Sequence, residues 1–305
     1  WRAAHAFPLN TFQMYLRGTT RQVDERGLVA QRIKRLPAID LKLRLIPTLR
    51  LTQMQDIGGC RAVVRSVQAV DALCKLYEET QFKHKLIHTD NYITTPRDSG
   101  YRGVHLVYRY YSDKNSDYNG LKVEMQLRTR LQHAWATAVE TVSTFKRQSL
   151  KSGLGDQQWL RFFALMGSVL ARRERRPFVP GTPENKVELI EELKSYVNDL
   201  GVIHHLTGYR LLLDKMPALR SLSYFLLELN PQEGRLSITP YSKREAEAAS
   251  RQYLVTERQA RLELSDERDA VLVSVDSMKA LRAAYPNYFA DTRRFVEEVR
   301  RALDS

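Results

Sequence analysis

The sequence predicts an α+β fold. Short apolar runs with strand-like alternation stand next to longer stretches in which apolar residues recur at helical spacing, and the two kinds are interspersed along the chain. Neither an internal repeat nor a low-complexity tract interrupts them. With 305 residues, 43% hydrophobic and 27% charged, the chain can bury one large core or two modest ones.

Taken in order, residues Arg26–Ile46 read as two short basic helical pieces broken around Pro37 and closed before Pro47. Ile57–Val64 is a strand, and Gln68–Glu79 a helix with Val70, Leu73, Leu76 and Tyr77 on one side. Phe82–His88 has the composition of a short strand. Thr94–Gly103, with Pro96, Asp98, Ser99, Gly100 and Gly103, is a loop. Val104–Tyr111 and Leu121–Leu127 form a hairpin across the turn-rich segment 112–120. A helix follows over Thr129–Phe145, with Leu131, Trp135, Ala138, Val142 and Phe145 on its apolar face and Arg130, His133, Thr137 and Glu140 opposite.

A further amphipathic helix starts near Asp156. Two prolines and a glycine in Arg175–Thr182 mark a boundary, after which Pro183 opens a helix with Val187, Ile190 and Val197 as its core side. The remainder reads as a smaller α+β unit. It has a hairpin of Tyr224–Leu229 and Arg235–Tyr241, a polar helix from Ser242 to about Glu263, a strand at Ala270–Val275 and a last helix interrupted near Pro286. The expected division is residues 1–176, a helical connector 177–220, and an accessory or regulatory unit 221–305.

Cys60 and Cys74 are too few for a disulfide framework or a zinc cluster. No apolar run approaches the roughly 20 residues that span a membrane, and no secretory leader is read from Trp1 onward. The expectation is a cytoplasmic protein with no membrane partner. Its charge is uneven: residues 1–147 carry 24 Lys and Arg against 13 Asp and Glu, whereas residues 148–305 carry 24 against 22. A positive field confined to one half attracts polyanions such as nucleotides or nucleic acid.

The chemistry concentrates in that half. On Leu121–Thr129, Val123, Met125 and Leu127 point one way and Lys122, Glu124, Gln126 and Arg128 the other. Asp56 stands at the lip of the strand Ile57–Val64, followed by Gly58, Gly59 and Arg61; adjacent glycines permit close approach of a ligand to the backbone. Two hard oxygen ligands, Asp56 and Glu124, suit Mg²⁺, which takes its other ligands from water and substrate phosphates. Arg32, Lys34, Arg35, Lys42 and Arg44 offer a cationic clamp for a polyphosphate, provided the Pro37 bend brings Arg32 and Lys42 together. Tyr101, between two glycines, is expected in a loop mobile enough to close over a planar base.

Four motifs in order carry a resemblance. They are R-x-K at Arg32–Lys34 with a further Lys42, DIGGCR at Asp56–Arg61, YITTPRDSGYRGVH at Tyr92–His105, and VEMQLRT at Val123–Thr129 followed by QHAW at Gln132–Trp135. The succession resembles the RelA/SpoT synthetase domain over roughly Arg32–Glu140. The resemblance implies a mixed β-sheet with flanking helices, related to nucleotidyltransferases. It also implies an Mg²⁺-dependent transfer of pyrophosphate from ATP to the 3′-hydroxyl of GDP or GTP, with tRNA the alternative acceptor and a non-catalytic nucleotide sensor the alternative role.

It assigns Arg32 and Arg61 to the adenine of ATP, Lys34 and Lys42 to its phosphates, and Asp56 and Glu124 to Mg²⁺, with Glu124 also activating the 3′-hydroxyl. Tyr101 would stack on the acceptor base, with Arg97, His105 and Gln126 on acceptor or phosphate; Arg128 and His133 are weaker carry-overs. A regulatory or antitoxin partner belongs to the same expectation. Two departures stand out. Asp90 and Asn91 precede Tyr92 where the family often has Lys-Asp, and no histidine is followed by aspartate, so the family's His-Asp hydrolase signature is missing.

Overall fold

The computed structural model describes residues 1–79, 82–145, 150, 156–208, 212–213, 224–230, 232–262, 269–275 and 277–305. Lys146 and Arg147, two cations of the basic half of the chain, lie outside the described residues. The chain forms two compact units. One comprises Trp1–Asp90, His105–Leu127 and Leu212–Ala284, the other Asn91–Val104, Arg128–Leu211 and Tyr285–Ser305. The expected boundaries at 176/177 and 220/221 are therefore not where the compact units divide.

The first unit is built on a sheet. Its strands are β1 (Leu28–Ile33), β2 (Gly58–Val64), β3 (Lys85–Asn91), β4 (Val104–Arg109), β5 (Lys122–Thr129), β6 (Leu212–Leu213), β7 (Tyr224–Asn230), β8 (Arg235–Tyr241) and β9 (Asp269–Ser274), in the spatial order β3-β4-β5-β2-β1-β9-β7-β8-β6. Most described pairings are antiparallel, but β6 runs parallel to β8, so the sheet is mixed. The segment expected as a separate C-terminal unit is instead sheet continuation: β9 pairs with β1 through Gln31 and Arg32. Apolar strands need a partner at their edge, and here β1 supplies it.

β1 also corrects the expectation of a helix from Arg26. Its basic residues mask an extended segment paired residue for residue with β2, from Leu28↔Val63 to Ile33↔Gly58. Tertiary pairing overrides the local pattern. The helix α2 (Leu36–Leu45) then starts with Pro37 in its first turn, so this proline opens a helix rather than breaking one.

No element is expected before Arg26, yet α1 (Ala6–Val23) buries Leu9, Phe12 and Leu16 along one side. It packs on the sheet face where Gly58 meets His5 and Leu9, and Gln13 Nε2 donates to the carbonyl of Ser274 on β9 (3.0 Å). The helix α3 (Val67–Glu79) buries Val70, Leu73 and Tyr77 as expected. The helices α8 (Ala246–Leu262) and α9 (Met278–Ala284) complete this unit.

The second unit is helical: α4 (Arg130–Phe145), α5 (Gln157–Glu174), α6 (Lys186–Asp199), α7 (Val202–Gly208) and α10 (Arg293–Leu303) share a core of Trp135, Trp159, Phe162, Phe163, Leu193 and Phe295. The side of α4 expected to be polar is buried too, through His133, Thr137 and Thr141. Arg175–Thr182 is no boundary: Val179 is buried, and its N–H donates to Ser168 Oγ (2.9 Å). α6 begins at Lys186 rather than Pro183, with Asn185 as its cap, so Val187 faces solvent while Leu189, Ile190, Leu193 and Val197 face the core.

Candidate active site

The sheet presents two faces, and the alternation of each strand decides which residues reach the open one. Gly58 faces α1, so Gly59 and Arg61 face the opposite way. On β5, Val123, Met125 and Leu127 are wholly buried while Lys122, Glu124 and Gln126 lie on the other side, as the sequence predicts. Arg128, expected with them, is buried instead. Gly59 is paired with Arg32 on β1, and a Cβ at Gly59 would stand 4.0 Å from the Glu124 carbonyl on β5. Lacking a side chain there, Gly59 leaves a clear floor among Arg32, Arg61 and Glu124.

Two carboxylates belong to this region, Asp56 just before β2 and Glu124 on β5. Asp56 Oδ2 accepts from Lys34 Nζ (2.7 Å) and Oδ1 from Lys42 Nζ (3.0 Å). Lys34 lies just past β1, where its N–H donates to the Ile57 carbonyl, and Lys42 comes from the second turn of α2. The strand-to-helix turn thus unites cations that sequence spacing alone kept apart. Burial alone would push the Asp56 carboxyl up, but Lys34 and Lys42 pull it below its ordinary range. Burial lowers the Lys34 ammonium, with Asp56 opposing and Arg32 and Lys42 adding to the fall.

Glu124 is the second carboxylate. Its Oε1 takes a hydrogen bond from His105 Nδ1 on β4 (3.1 Å) and its Oε2 one from Gln126 Nε2 (2.6 Å). An ionised carboxylate only accepts, so His105 must carry its proton on Nδ1. Burial would raise the Glu124 carboxyl, yet the His105 and Gln126 bonds, with the field of Lys34, bring it down to about 2. Asp56 also feels the Glu124 charge, which places the two carboxylates in one electrostatic cluster.

A depressed carboxyl stabilises the fold above its unfolded value and loses that contribution as pH falls through its folded value. We expect the stability difference between wild type and Glu124→Gln to be constant from pH 7 to about 5 and to shrink between about 4.5 and 2. The pH-dependent part of the difference is on the order of 3 kcal/mol. Thermal unfolding across a pH series measures it, and a difference that does not change with pH would show that Glu124 is not held ionised.

The cluster fits Mg²⁺. Two hard carboxylates are what that ion takes from a protein when substrate phosphates supply the rest, and among the described residues no group of three or more His, Cys, Asp or Glu makes an all-protein cage. Both carboxylates are engaged by side-chain donors that a metal would displace. Arg61, expected on adenine, donates from Nη2 to the carbonyl of Ala284 at the end of α9 (2.7 Å). Two interactions beyond the reach of motif reading steady the start of α2: Glu257 on α8 accepts from the Leu36 N–H (3.0 Å), and Arg35 pairs with Asp269 on β9.

The remaining expected residues, Arg97, Tyr101, Arg128 and His133, belong to the second unit. Tyr101 does not sit on a mobile, exposed loop: it is 7% exposed, part of the helical core, and edge-on to Tyr92 and Trp135. Its hydroxyl accepts from Arg128 Nη2 (2.8 Å), whose guanidinium lies 5.0 Å from the ring centre. Arg97 is exposed and lies over the Tyr92 ring at 4.3 Å. Asn91, one of the departures, starts the loop, its Oδ1 accepting from the N–H groups of Ile93 and Thr94. Asp90 faces His88 Nε2 (3.1 Å).

Residues 31–149 match the sequence model of a family described as the region found in RelA / SpoT proteins. Over 114 residues the chain is 32% identical to the GTP pyrophosphokinase YjbM of Bacillus subtilis (strain 168), covering 36% of this chain and 52% of that protein. The chain thus spans about half the length of this curated relative. Among solved structures it is similar to the small alarmone synthetase 1 of Bacillus subtilis bound to its product pppGpp, with 20% identity, TM-score 0.47, 55% of this chain and 88% of that one. It is also similar to a GTP pyrophosphokinase family protein of Streptococcus pneumoniae, with 22% identity, TM-score 0.46, 55% of this chain and 84% of that one. No described helix is long and apolar enough to cross a membrane.

Proposed function

We propose that this chain, whose residues 31–149 match the RelA/SpoT region, is a pyrophosphokinase that moves the β,γ-pyrophosphoryl group of ATP to the 3′-hydroxyl of GDP or GTP. The observation that carries the reading is the pair Asp56, just before β2, and Glu124, on β5, one held by two lysines and the other by His105 and Gln126, with Asp56 in the field of Glu124. A structural ion pair needs one cation per carboxylate, whereas here Lys34 and Lys42 both bond Asp56, and Lys34 also feels the charge of Arg32. Such a surplus suits a polyphosphate.

In the transfer the acceptor 3′-oxygen attacks the β-phosphorus of ATP, the bond to the α-phosphate oxygen breaks, and AMP leaves. Lys34 and Lys42 exchange Asp56 for phosphate oxygens, and Arg32 with Arg61 takes the adenine. Asp56 and Glu124 would hold Mg²⁺, whose charge offsets that of the phosphates. With its carboxyl near 2, Glu124 is a weak base; it accepts the 3′-O–H hydrogen bond, aims the oxygen, and receives the proton as the new bond forms. Phosphoryl-type transfer rests on in-line placement and neutralised charge more than on base strength. The resemblance assigns Tyr101, Arg97, His105 and Gln126 to the acceptor; of these, His105 and Gln126 bond Glu124, and Tyr101 lies in the helical core.

Purified protein incubated with γ-labelled ATP, Mg²⁺ and either GDP, GTP or bulk tRNA tests this. Label is expected in the guanosine nucleotides. Asp90, which adds a negative charge before Tyr92 where the family often has lysine, is the feature that favours a different acceptor. Labelled tRNA with GDP and GTP unmodified at matched concentrations would establish that alternative, and tight nucleotide binding with no transfer at all would establish the sensor.

A further inference from the structure

The second unit holds a buried charged group to which neither the motifs nor the cluster around Asp56 assigns a role. At its centre is Glu174, the last residue of α5. Its Oε2 accepts from Arg102 Nη1 (3.0 Å) and from Gln132 Nε2 (2.9 Å), and its Oε1 from Thr129 Oγ1. The Arg102 and Glu174 side chains are only 2% and 7% exposed. Arg102 Nε and Nη2 find no hydrogen-bond partner among the described residues, so Glu174 is the carboxylate that compensates a buried guanidinium. Burial lowers the Arg102 pKa, and Glu174 opposes that fall.

The donors are not scattered along the chain. Arg102 directly follows Tyr101, and Thr129 directly follows Arg128. Tyr101 and Arg128 are themselves joined, hydroxyl to guanidinium. One carboxylate therefore ties down the residue after each member of the pair. Thr129 and Gln132 also close a capping box at the start of α4: Thr129 Oγ1 accepts from the Gln132 N–H (3.2 Å), and Gln132 Oε1 from the Thr129 N–H (3.0 Å). A change at Glu174 would reach Tyr101 by two routes, through the loop and through α4.

We propose that Glu174 is a positioning residue for the acceptor: it fixes the Tyr101–Arg128 pair and thereby sets acceptor affinity while leaving ATP use unchanged. The choice of substrate rests on the pyrophosphokinase reading; the fixing of the loop does not.

The test compares wild type, Glu174→Gln, and the double variant Arg102→Met with Glu174→Met, which replaces the buried ion pair by apolar side chains of similar length. Each is assayed for the KM of GDP, GTP and ATP, for its melting temperature, and for amide hydrogen exchange. Glu174→Gln is expected to raise the KM for GDP and GTP tenfold or more with the ATP KM within twofold, and to accelerate exchange over 91–103 but not over β2. The double variant is expected to regain melting temperature, because apolar replacement of a buried pair is commonly well tolerated, without regaining acceptor affinity.

Equal rises in acceptor and ATP KM, an unchanged acceptor KM in Glu174→Gln, or an acceptor KM restored together with the melting temperature in the double variant would each reduce Glu174 to a purely structural residue. If wild type transfers to no acceptor, the reading of the reaction falls and hydrogen exchange alone decides on Glu174. Faster exchange over 91–103 in Glu174→Gln then supports the positioning role, and unchanged exchange overturns it.

Discussion

Asp56→Asn and Glu124→Gln are each expected to cut label transfer a thousandfold or more, which is roughly 4 kcal/mol of barrier. Both substitutions keep shape and remove one negative charge, so they test charge rather than packing. Asp56 holds both Lys34 and Lys42. Its neutralisation should therefore free Lys34 and Lys42, and metal-free ATP binding should survive or tighten while transfer is lost. Glu124→Gln should leave ATP binding near wild type, because the hydrogen bonds of Glu124 run to His105 and Gln126 rather than to the lysines. Equilibrium ATP binding without metal, measured beside labelling with Mg²⁺, separates the two roles. Normal labelling by either variant would sink the assignment of the pair.

The candidate site is legible in the sequence where its chemistry is local. The alternation on β5 gives the facing of Glu124 and Gln126 from sequence alone, because a strand turns its side chains to opposite faces with period two. The glycines at Gly58 and Gly59 signal close approach, and in the sheet Gly59 lies opposite Arg32 and next to Glu124. What sequence could not give is the identity of β1. Basic residues at Arg32, Lys34 and Arg35 read as a solvated helix, and the partners that make the segment extended lie 25 to 35 residues away on β2 and over 200 away on β9.

The same reason accounts for the division of the chain. The prolines and glycine of Arg175–Thr182 satisfy every local criterion for a linker, yet Ser168 Oγ and a buried Val179 fasten that segment to α5. Likewise, the hairpin of β7 and β8 is legible as a hairpin, but its membership of the main sheet depends on β9 joining β1. Local signals name the element, and long-range pairing decides its neighbours. A capping box at Thr129–Gln132 is within reach of the motif rules, whereas the carboxylate that completes it, Glu174, sits 42 residues further on.

Gly100→Ala is expected to produce the largest loss of stability among single-methyl additions. Glycines in a loop suggest mobility, but Gly100 serves close packing. It has a φ of +89°, and a Cβ there would lie 2.6 Å from the Phe163 carbonyl oxygen and 3.1 Å from both Ala164 Cα and Trp135 Cζ2. The first two are backbone atoms of α5 and cannot swing away. The Phe163 carbonyl also accepts from Trp135 Nε1 (2.9 Å), so displacing it would cost a buried hydrogen bond as well. Gly167 meets the loop from the other side, where an added Cβ would stand 2.8 Å from Gly100 Cα.

Left-handed backbone costs an alanine about 1–2 kcal/mol, and overpacking adds about 1–3 kcal/mol. Gly120 supplies the control, since it has nearly the same φ, +87°, with nothing within 4 Å of its added Cβ. Gly120→Ala should therefore show the backbone term alone. Urea unfolding of both variants isolates the packing term as their difference, expected at about 1–3 kcal/mol. Equal losses would mean that Gly100 is required only for its conformation, and that the tight seat of the Tyr101 loop against α5 contributes nothing to holding that loop in place.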